Sequence, residues 1–351
     1  MHLAFYAPLK PVNHPKPSGE RTFARALLDT LRSIEDVAEV SVASDLRSRD
    51  GAGEKAVQQS IYDASEKELN RLESYNFDAW ITYHNYYKAP DLIGPVYSKR
   101  KGIPYLLIEA TRAQKRLTGA WADFAASAEA ASDAADTVFY LTDHDFEALS
   151  QYRPPHQKLV HLRPFLNQDT LPAGKTPAAS LELLAVAMLR FGDKLESFTA
   201  LAEALRLVSR TDWTLRIIGD GPARAQVETL FAEFGQKVQF LGQASPTEVS
   251  KAMARASCLV WPGVNEAFGM VYLEAQALGL RVIAEDRPGV RDVVGPTGQM
   301  APQSDPASFA ALIDALPPET PDSIAICRQF MVNRLRPNAR NTIADTLRHL
   351  V

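Results

Sequence analysis

The stretch PGVNEAFGMVYLEAQALG, residues 262–279, places a carboxylate on each side of a predicted helix start. Glu266 lies in a loop that follows a buried strand pattern, and Glu274 falls one to two turns into the helix that residues 268–270 open. A helix start offers free backbone N–H groups and the positive end of the helix dipole, so it binds anions. Carboxylates accept hydrogen bonds from hydroxyl groups. The stretch therefore suits a diphosphate that carries a sugar on each side.

Outward from this stretch, short apolar runs alternate with helical patterns along the whole chain. This alternation favours parallel sheets covered by helices, which is an α/β fold. A helix over residues 21–33 is predicted after the turn Pro17-Ser18-Gly19. The predicted strands are residues 2–7, 39–44, 79–84, 104–109, 137–142 and 158–163 in the first half, and 181–187, 213–219, 238–242, 257–261 and 280–285 in the second.

The length of 351 residues exceeds one ordinary core and predicts two domains. Three prolines, with glycine and asparagine breakers, mark a linker at residues 163–177. We predict domains at residues 1–165 and 175–325, and a last helical segment, 326–351, that breaks near Pro337 and packs back on the first domain.

The composition indicates a soluble globular protein, with 46% hydrophobic and 23% charged residues. A net charge of −4 provides no general attraction to nucleic acid. Only Cys258 and Cys327 are present, so we expect no disulfide framework and a cytoplasmic location. The start MHLAFYAPLKP lacks a signal-peptide pattern, and no apolar run is long enough to span a membrane. Peripheral contact with the inner face of a membrane stays open.

The ordered set of a loop glutamate, Phe-Gly, an apolar turn and a second glutamate resembles the E-x7-E signature of retaining glycosyltransferases of family 4. The resemblance covers residues 181–300 well and the first half loosely. It implies the GT-B fold, in which two Rossmann-like domains face each other across a cleft. It also implies a hexosyltransferase that needs no metal or cofactor. Such an enzyme moves a sugar from a nucleoside diphosphate-sugar to a hydroxyl of a lipid, polysaccharide or small molecule.

The resemblance implies roles for residues of the second half, the donor domain. Arg190 and Lys194 follow its first strand, where the family places an Arg and a Lys against the donor diphosphate. Together with Glu266, which would hold the transferred sugar, they are the implied catalytic residues. The other implied donor-binding residues are Glu274 on the ribose, backbone N–H groups near Phe268, Gly269 and Met270, and the loop residues Gly19 and Gly219.

The assignment of Gly219 carries an alternative. Gly219 belongs to the turn Gly219-Asp220-Gly221, and glycines permit a tight turn without any ligand, so a structural role is favoured over a phosphate contact. In the resemblance, the strand at residues 238–242 supplies backbone contacts to the base.

The acceptor side, in the first half, resembles the family less. Gly19 matches a glycine-rich family loop, but a second glycine is missing, and Arg21 adds a charge. After the strand PYLLIE the family often has a His or Asp, whereas this chain has Glu109 and Arg112 nearby. His84, at a neighbouring strand end, is a further candidate, although a single histidine there is more often structural.

Two further patterns have ordinary explanations. Asp143-His144-Asp145 resembles a metal-binding D-x-D triplet, but the helix N-cap interpretation is preferred and no metal site is predicted. A basic and aromatic patch could attract an anionic acceptor or rest on a membrane, although a solvated loop is slightly favoured. Its predicted members are Arg112, Lys115, Arg116, Trp121 and Phe124, with Lys99-Arg100-Lys101 as a second small cluster.

Two other functions remain compatible with these residues. A nucleotide-sugar 2-epimerase shares the architecture and needs no acceptor. A catalytically degenerate member would only bind a nucleotide-sugar.

Overall fold

The computed structural model describes residues 1–16 and 18–350, so Pro17 of the predicted turn and the terminal Val351 lie outside the described residues. Contacts divide the chain into two compact units. The first comprises Met1–Asn167 with Arg336–Val351, and the second comprises Gln168–Leu335. The change of unit at Asn167 falls inside the predicted linker, which has neither helix nor regular strand between residues 162 and 180.

The first unit contains a parallel sheet of six strands within the described residues, in the order β2-β1-β3-β4-β5-β6. The order reverses between β1 and β3, and in open α/β sheets ligands bind at such a switch point, beyond the carboxyl ends of the strands. The strands are His2–Tyr6 (β1), Glu39–Ser44 (β2), Ala79–Asn85 (β3), Tyr105–Ala110 (β4), Thr137–Tyr140 (β5) and Lys158–His161 (β6).

Helices cover this sheet because their apolar residues recur on one face and become buried against it. In the first helix the buried residues include Phe23, Leu27 and Leu31, and the Ser18 hydroxyl caps the helix by accepting from the Arg21 amide. The helices of the first unit are Gly19–Arg32 (α1), Lys55–Leu72 (α2), Gly94–Lys101 (α3), Ala122–Ala134 (α4) and Asp143–Gln151 (α5), and a short 3-10 turn spans Gln114–Arg116.

The second unit repeats this plan with another six-stranded parallel sheet among the described residues, in the order β12-β11-β10-β7-β8-β9. Its switch point lies between β7 and β10, so the loops after these two strands are the expected ligand-binding loops. The strands are Leu181–Val186 (β7), Trp213–Ile218 (β8), Val238–Gly242 (β9), Cys258–Val260 (β10), Arg281–Glu285 (β11) and Gln299–Ala301 (β12).

The helices of the second unit pack on both sides of its sheet, with Phe198, Trp261 and Tyr272 among its largest fully buried side chains. The helices are Asp193–Leu207 (α6), Arg224–Phe231 (α7), Pro246–Arg255 (α8), Met270–Leu278 (α9), Val290–Val293 (α10), Pro306–Asp314 (α11) and Pro321–Met331 (α12), with 3-10 turns at Ala232–Lys237 and Val332–Arg334.

The final helix, Arg336–Arg348 (α13), belongs to the first unit and contacts α1. The segment that joins the first unit therefore begins at Arg336 and not at residue 326. Residues 326–335 stay with the second unit because α12 packs on α9, where the Cys327 thiol donates to the Leu280 carbonyl. The predicted break near Pro337 coincides with the start of α13.

The α/β prediction is confirmed, and each predicted strand matches an observed one within two residues at either end. The sequence missed one strand, β12, because it has only three residues and alternates little. Helix α1 also begins two residues earlier than predicted, at Gly19, because Ser18 is its N-cap.

Candidate functional site

In the second unit the predicted donor residues meet at the switch point. Arg190 and Lys194 follow β7, and Glu266 follows β10, so neighbouring parallel strands bring them to one edge of the sheet. Residues distant in the sequence therefore become adjacent through the strand order alone.

The loop that carries Arg190 is held in shape by the glycine turn after β8. The Leu189 amide donates to the Asp220 carbonyl at 3.1 Å, and the Ala223 amide donates to the Leu189 carbonyl at 2.9 Å. Gly219 has a φ of 143°, and a Cβ atom there would lie 1.8 Å from the Ala187 carbonyl oxygen. Glycine is required at this position for close packing of two backbones, which supports the structural role favoured from the sequence.

Lys194 lies in the first turn of α6 and forms an ion pair with Glu266. Glu266 also accepts a hydrogen bond of 3.1 Å from the indole N–H of Trp261. The ammonium of Lys194 lies 5.6 Å from the centroid of the same indole ring, within the range of a cation–π interaction. Both side chains of the ion pair remain partly exposed, so this pair is accessible to a ligand.

The loop between β10 and α9 is anchored at several points, which fixes the position of Glu266. The Tyr272 hydroxyl donates to the Trp261 carbonyl at 3.0 Å, and the Val264 amide donates to the Ser197 hydroxyl at 2.9 Å. Gly263 has a φ of 75°, and a Cβ atom there would lie 2.3 Å from the Tyr272 hydroxyl oxygen. The loop is therefore preorganised by packing and hydrogen bonds.

The start of α9 agrees with the expected anion-binding geometry. The helix begins at Met270 with Gly269 as its N-cap, at a φ of 81°, and no side chain caps it. The ring of Phe268 is buried, so any ligand contact at this residue would come from its backbone. Glu274 lies in the second turn of the helix, and the protein around its carboxyl group desolvates it and raises its pKa to about 7.

In the first unit a second group of polar side chains lies at the switch point. His84 ends β3 and Glu109 ends β4, while Glu20 lies in the first turn of α1. The His84 Nδ1 atom lies 3.0 Å from a Glu20 oxygen and 3.6 Å from a Glu109 oxygen. We call these three residues the Glu-His-Glu triad. The sequence had named His84 and Glu109 but had not assigned any role to Glu20.

Both strand-end members of the triad have strained backbones. His84 has a φ of 65° and Glu109 a φ of 60°, a region that residues other than glycine seldom occupy. Such strain persists only where the surroundings impose it, and it clusters at functional sites. The second carboxylate oxygen of Glu109 is buried and has no hydrogen-bond partner among the described residues.

The charges within the triad are strongly coupled. Burial alone would lower the pKa of His84, but the carboxylates of Glu109 and Glu20 outweigh burial and raise it to about 10. Burial raises the pKa of Glu109 to about 8, against the opposing effect of His84. The pKa of Glu20 is lowered because its attraction to His84 exceeds its desolvation. At neutral pH the triad therefore holds a charged His84, a charged Glu20 and a largely protonated Glu109.

Arg21, another acceptor-side candidate, has structural partners, and the predicted donor-binding Gly19 lies near it in the chain's first helix. One guanidinium nitrogen of Arg21 donates to the carbonyls of His14 at 2.7 Å and Pro15 at 3.2 Å, and thereby ties the preceding loop to α1. Gly19 is the first residue of that helix, and a Cβ atom there would meet no other atom within 4 Å. The space above this helix start is therefore open.

Arg112 is a correction to the predicted basic patch. Its side chain is 1% exposed and pairs with Glu129 at 2.9 Å and with Asp133 at 2.7 Å, so it stabilises the interior of the first unit. Phe124 is also fully buried. Neither residue reaches the surface, because α4 turns its apolar face and Glu129 inward. Arg116, Lys115 and Trp121 remain accessible.

The Asp143-His144-Asp145 segment begins α5, as the helix-cap interpretation predicted. The Thr142 hydroxyl accepts from the Asp145 amide at 3.2 Å and donates to the Asp145 carboxylate at 2.7 Å. Among the described residues, no three His, Cys, Asp or Glu side chains are grouped as a metal site would require. No helix in that same part of the chain is both long and apolar enough to cross a membrane.

Residues 182–317 match the family model described as "Glycosyl transferases group 1". This region covers the second unit from β7 to the end of α11, and it contains Arg190, Lys194, Glu266 and Glu274.

Three curated relatives share 30–32% identity with parts of the chain. An exopolysaccharide phosphotransferase of Streptomyces coelicolor is 32% identical over 42% of this chain and 16% of its own length. A GDP-mannose-dependent monoacylated alpha-(1-6)-phosphatidylinositol monomannoside mannosyltransferase of Corynebacterium glutamicum is 32% identical over 30% of each chain. A D-inositol 3-phosphate glycosyltransferase of Corynebacterium urealyticum is 30% identical over 40% of this chain and 36% of its own. The chain thus spans well under half the length of these relatives.

Solved structures match over the entire chain. The lipopolysaccharide outer core galactosyltransferase WaaB aligns with a TM-score of 0.71 at 16% identity and covers 100% of both chains. Anabaena HepE in complex with UDP-glucose aligns with a TM-score of 0.68 at 16% identity, over 99% of this chain and 100% of its own. The chain therefore has the GT-B fold, which confirms the fold expected from the glutamate motif.

Proposed function

We propose that this chain is a retaining glycosyltransferase of family 4 that moves a hexosyl group from a nucleoside diphosphate-sugar to an acceptor hydroxyl. The observation that carries the proposal is the Lys194–Glu266 pair at the switch point of the second unit, between the Arg190 loop and the uncapped start of α9. Cations and free N–H groups suit a diphosphate, and carboxylates suit sugar hydroxyls. The match of residues 182–317 to the glycosyltransferase family supports the same assignment.

In this proposal Lys194 exchanges its partner when the donor binds. The ammonium moves from Glu266 to the diphosphate, where Arg190 also contributes its charge. Glu266 is then free to accept hydrogen bonds from the transferred sugar, while Glu274 accepts from the ribose. The edge strand β9 lies beside β8, and its backbone would contact the base.

The chemical step follows from this placement. The bond between the anomeric carbon and the β-phosphate oxygen breaks, and its electron pair stays on that oxygen, which Arg190, Lys194 and the helix start stabilise. The acceptor hydroxyl forms the new bond on the same face of the sugar and gives its proton to the departing phosphate. No protein nucleophile and no metal ion are required. We propose a cytoplasmic site for this reaction.

Replacement of Glu274 tests the assignment. Glu274→Ala removes the acceptor of the ribose hydroxyls, so UDP or GDP should bind about tenfold or more weakly by calorimetry. Glu203→Ala, an exposed carboxylate on α6, is the matched control and should bind as the parent does. Wild-type protein should also release nucleoside diphosphate from at least one nucleotide-sugar. Unchanged affinity in Glu274→Ala would remove the basis of the donor-site assignment.

A nucleotide-sugar 2-epimerase is the second candidate, and the Glu-His-Glu triad favours it. Epimerisation depends on acid and base side chains, and His84 and Glu109 both have pKa values moved toward or beyond neutrality. Incubation of the donor without an acceptor, followed by NMR of the sugar, separates the two functions. An epimerised sugar would support the second candidate, and binding without any turnover would indicate a binding protein.

A further inference from the structure

Three loops at the carboxyl edge of the first sheet form one continuous surface that the donor site does not use. They are residues 47–53 after β2, 86–90 after β3 and 114–121 after β4. The Asp50 amide donates to the Lys88 carbonyl at 2.9 Å, and the indole N–H of Trp121 donates to the Asp50 carbonyl at 3.4 Å. Because hydrogen bonds join all three loops, their side chains have fixed relative positions.

Asp50 stabilises this surface through the hydrogen bonds of its buried side chain. Its buried carboxylate accepts from the amides of Ala52, Gly53 and Glu54 and from the side-chain amide of Gln58, at 2.8 to 3.0 Å. Its hydrogen-bonding capacity is thereby committed to the loop itself. Within the described part of the chain, Asp50 forms no ion pair.

Two cations each lie within cation–π distance of the same two aromatic rings, Tyr87 and Trp121, on this surface. The Lys88 ammonium is 4.8 Å from the centroid of Trp121 and 5.6 Å from that of Tyr87. The Arg116 guanidinium is 5.1 Å from Tyr87 and 6.0 Å from Trp121. Cation–π attraction to the same two rings thus fixes both positive charges on this surface. We call these four side chains the Lys-Arg aromatic cluster.

The positive charge of this cluster has no carboxylate partner. Among the described residues neither Lys88 nor Arg116 forms an ion pair, and the buried Nε atom of Arg116 has no hydrogen-bond partner. Lys115 and Arg49 are exposed on the same loops. Cations without carboxylate partners attract an anion to this surface. A guanidinium binds phosphate through two parallel hydrogen bonds.

A membrane surface fits this cluster less well than a soluble anion. Insertion into the interface requires a wide exposed apolar face. The apolar residues of α4 are buried, and Tyr87 and Trp121 are half-buried with their faces directed at the two cations. Leu117 is the one large apolar side chain that these three loops expose in the described structure, at 39%.

We propose that the Lys-Arg aromatic cluster binds the acceptor through a phosphate group on a soluble sugar. Lys88 and Arg116 contact the phosphate, and the edges of Tyr87 and Trp121 contact the sugar ring. This inference rests on the proposed transferase function, since it names the acceptor class for that reaction. It adds a binding surface in the first unit to the donor residues of the second.

The test uses the full chain and glucose 6-phosphate as a probe, with saturating UDP present to fill the donor site. Calorimetry should detect binding of glucose 6-phosphate, weaker binding of inorganic phosphate and no binding of glucose. The double variant Lys88→Gln/Arg116→Gln should weaken glucose 6-phosphate binding at least about tenfold. Lys251→Gln/Arg255→Gln, which removes the same charge from the exposed side of α8, should leave binding unchanged.

Other outcomes would overturn the proposal. Equal loss in both double variants would show a general charge effect. Binding of phosphatidylglycerol vesicles that depends on Lys88 and Arg116, without binding of glucose 6-phosphate, would identify a membrane surface instead. The affinities for UDP and GDP, measured alone on each variant, test the donor site separately from the acceptor surface. Intact binding of either nucleotide with no sugar phosphate binding refutes only the acceptor class, whereas absence of both UDP and GDP binding refutes the donor assignment.

Discussion

The Glu-His-Glu triad should make the stability of the first unit fall as the pH rises from 6.5 to 8. His84 and Glu109 have raised pKa values in the folded protein, about 10 and about 8, against ordinary values of 6.5 and 4.5. At the lower end of this pH window the folded pair holds nearly two protons, and at pH 8, near the pKa of Glu109, it holds about one and a half. The unfolded chain has lost the proton of Glu109 and is losing that of His84. Folding therefore takes up protons, and the free energy of unfolding must decrease with pH.

The magnitude follows from the number of protons. Each proton taken up on folding changes the free energy of unfolding by about 1.4 kcal/mol per pH unit. Nearly two protons give an upper value close to twice that, and we expect roughly 2 kcal/mol per pH unit because the two groups titrate as a pair. Glu20 does not contribute in this window, because its lowered pKa keeps it ionised in both states.

Hydrogen exchange of peptides from β3 and β4 in increasing urea measures the relevant opening free energy at each pH. The experiment is run in the Glu274→Gln background, because the raised pKa of Glu274, about 7, would add its own dependence. Glu109→Gln removes one of the two titrating groups and should reduce the slope by about half. A flat profile between pH 6.5 and 8, or an unchanged slope in Glu109→Gln, would refute the proton count of the triad.

The remaining predictions concern packing, a buried ion pair and metal dependence. Gly219→Ala should destabilise the second unit in urea by about 3 kcal/mol, because the new Cβ atom clashes with backbone atoms and alanine disfavours this φ. The control Gly192→Ala should cost less, because a Cβ atom there meets no other atom within 4 Å. Arg112→Met should cost about 3 kcal/mol in thermal unfolding, since the buried Glu129 loses its cationic partner and keeps only the Ala113 and Gln114 hydrogen bonds. Arg348→Met at the surface should cost below about 1 kcal/mol. EDTA should leave sugar transfer unchanged, and a loss that Mg²⁺ restores would contradict a metal-independent reaction.

Local sequence patterns predicted most of the strands and helices. The strand Val238–Gly242 was predicted with its observed bounds, because a β-rich run ends at a glycine that must adopt a positive φ. The three-residue strand Gln299–Ala301 was not predicted, because its own sequence has no clear strand pattern and it is defined by its pairing with β11. The change of unit at Arg336 likewise depends on the packing of α12 against α9.

The donor residues were accessible to sequence reasoning for a related reason. Glu266 and Glu274 lie in one continuous segment, where spacing and a helix start already suggest a ligand. Trp261 precedes that segment and holds both Lys194 and Glu266, but as an apolar strand residue it gave no such signal.

By itself the sequence determined the alternation of strands and helices, the two-domain organisation and the glutamate motif, because these depend on residues that are neighbours along the chain. Tertiary structure alone decided that Arg112 is buried and that Glu20, His84 and Glu109 form a charged triad. It also placed Lys88 and Arg116 over the same two aromatic rings. The physical reason is the same in each case: burial and the distance between charges are set by the strand order and the packing of loops, and no local spacing records them.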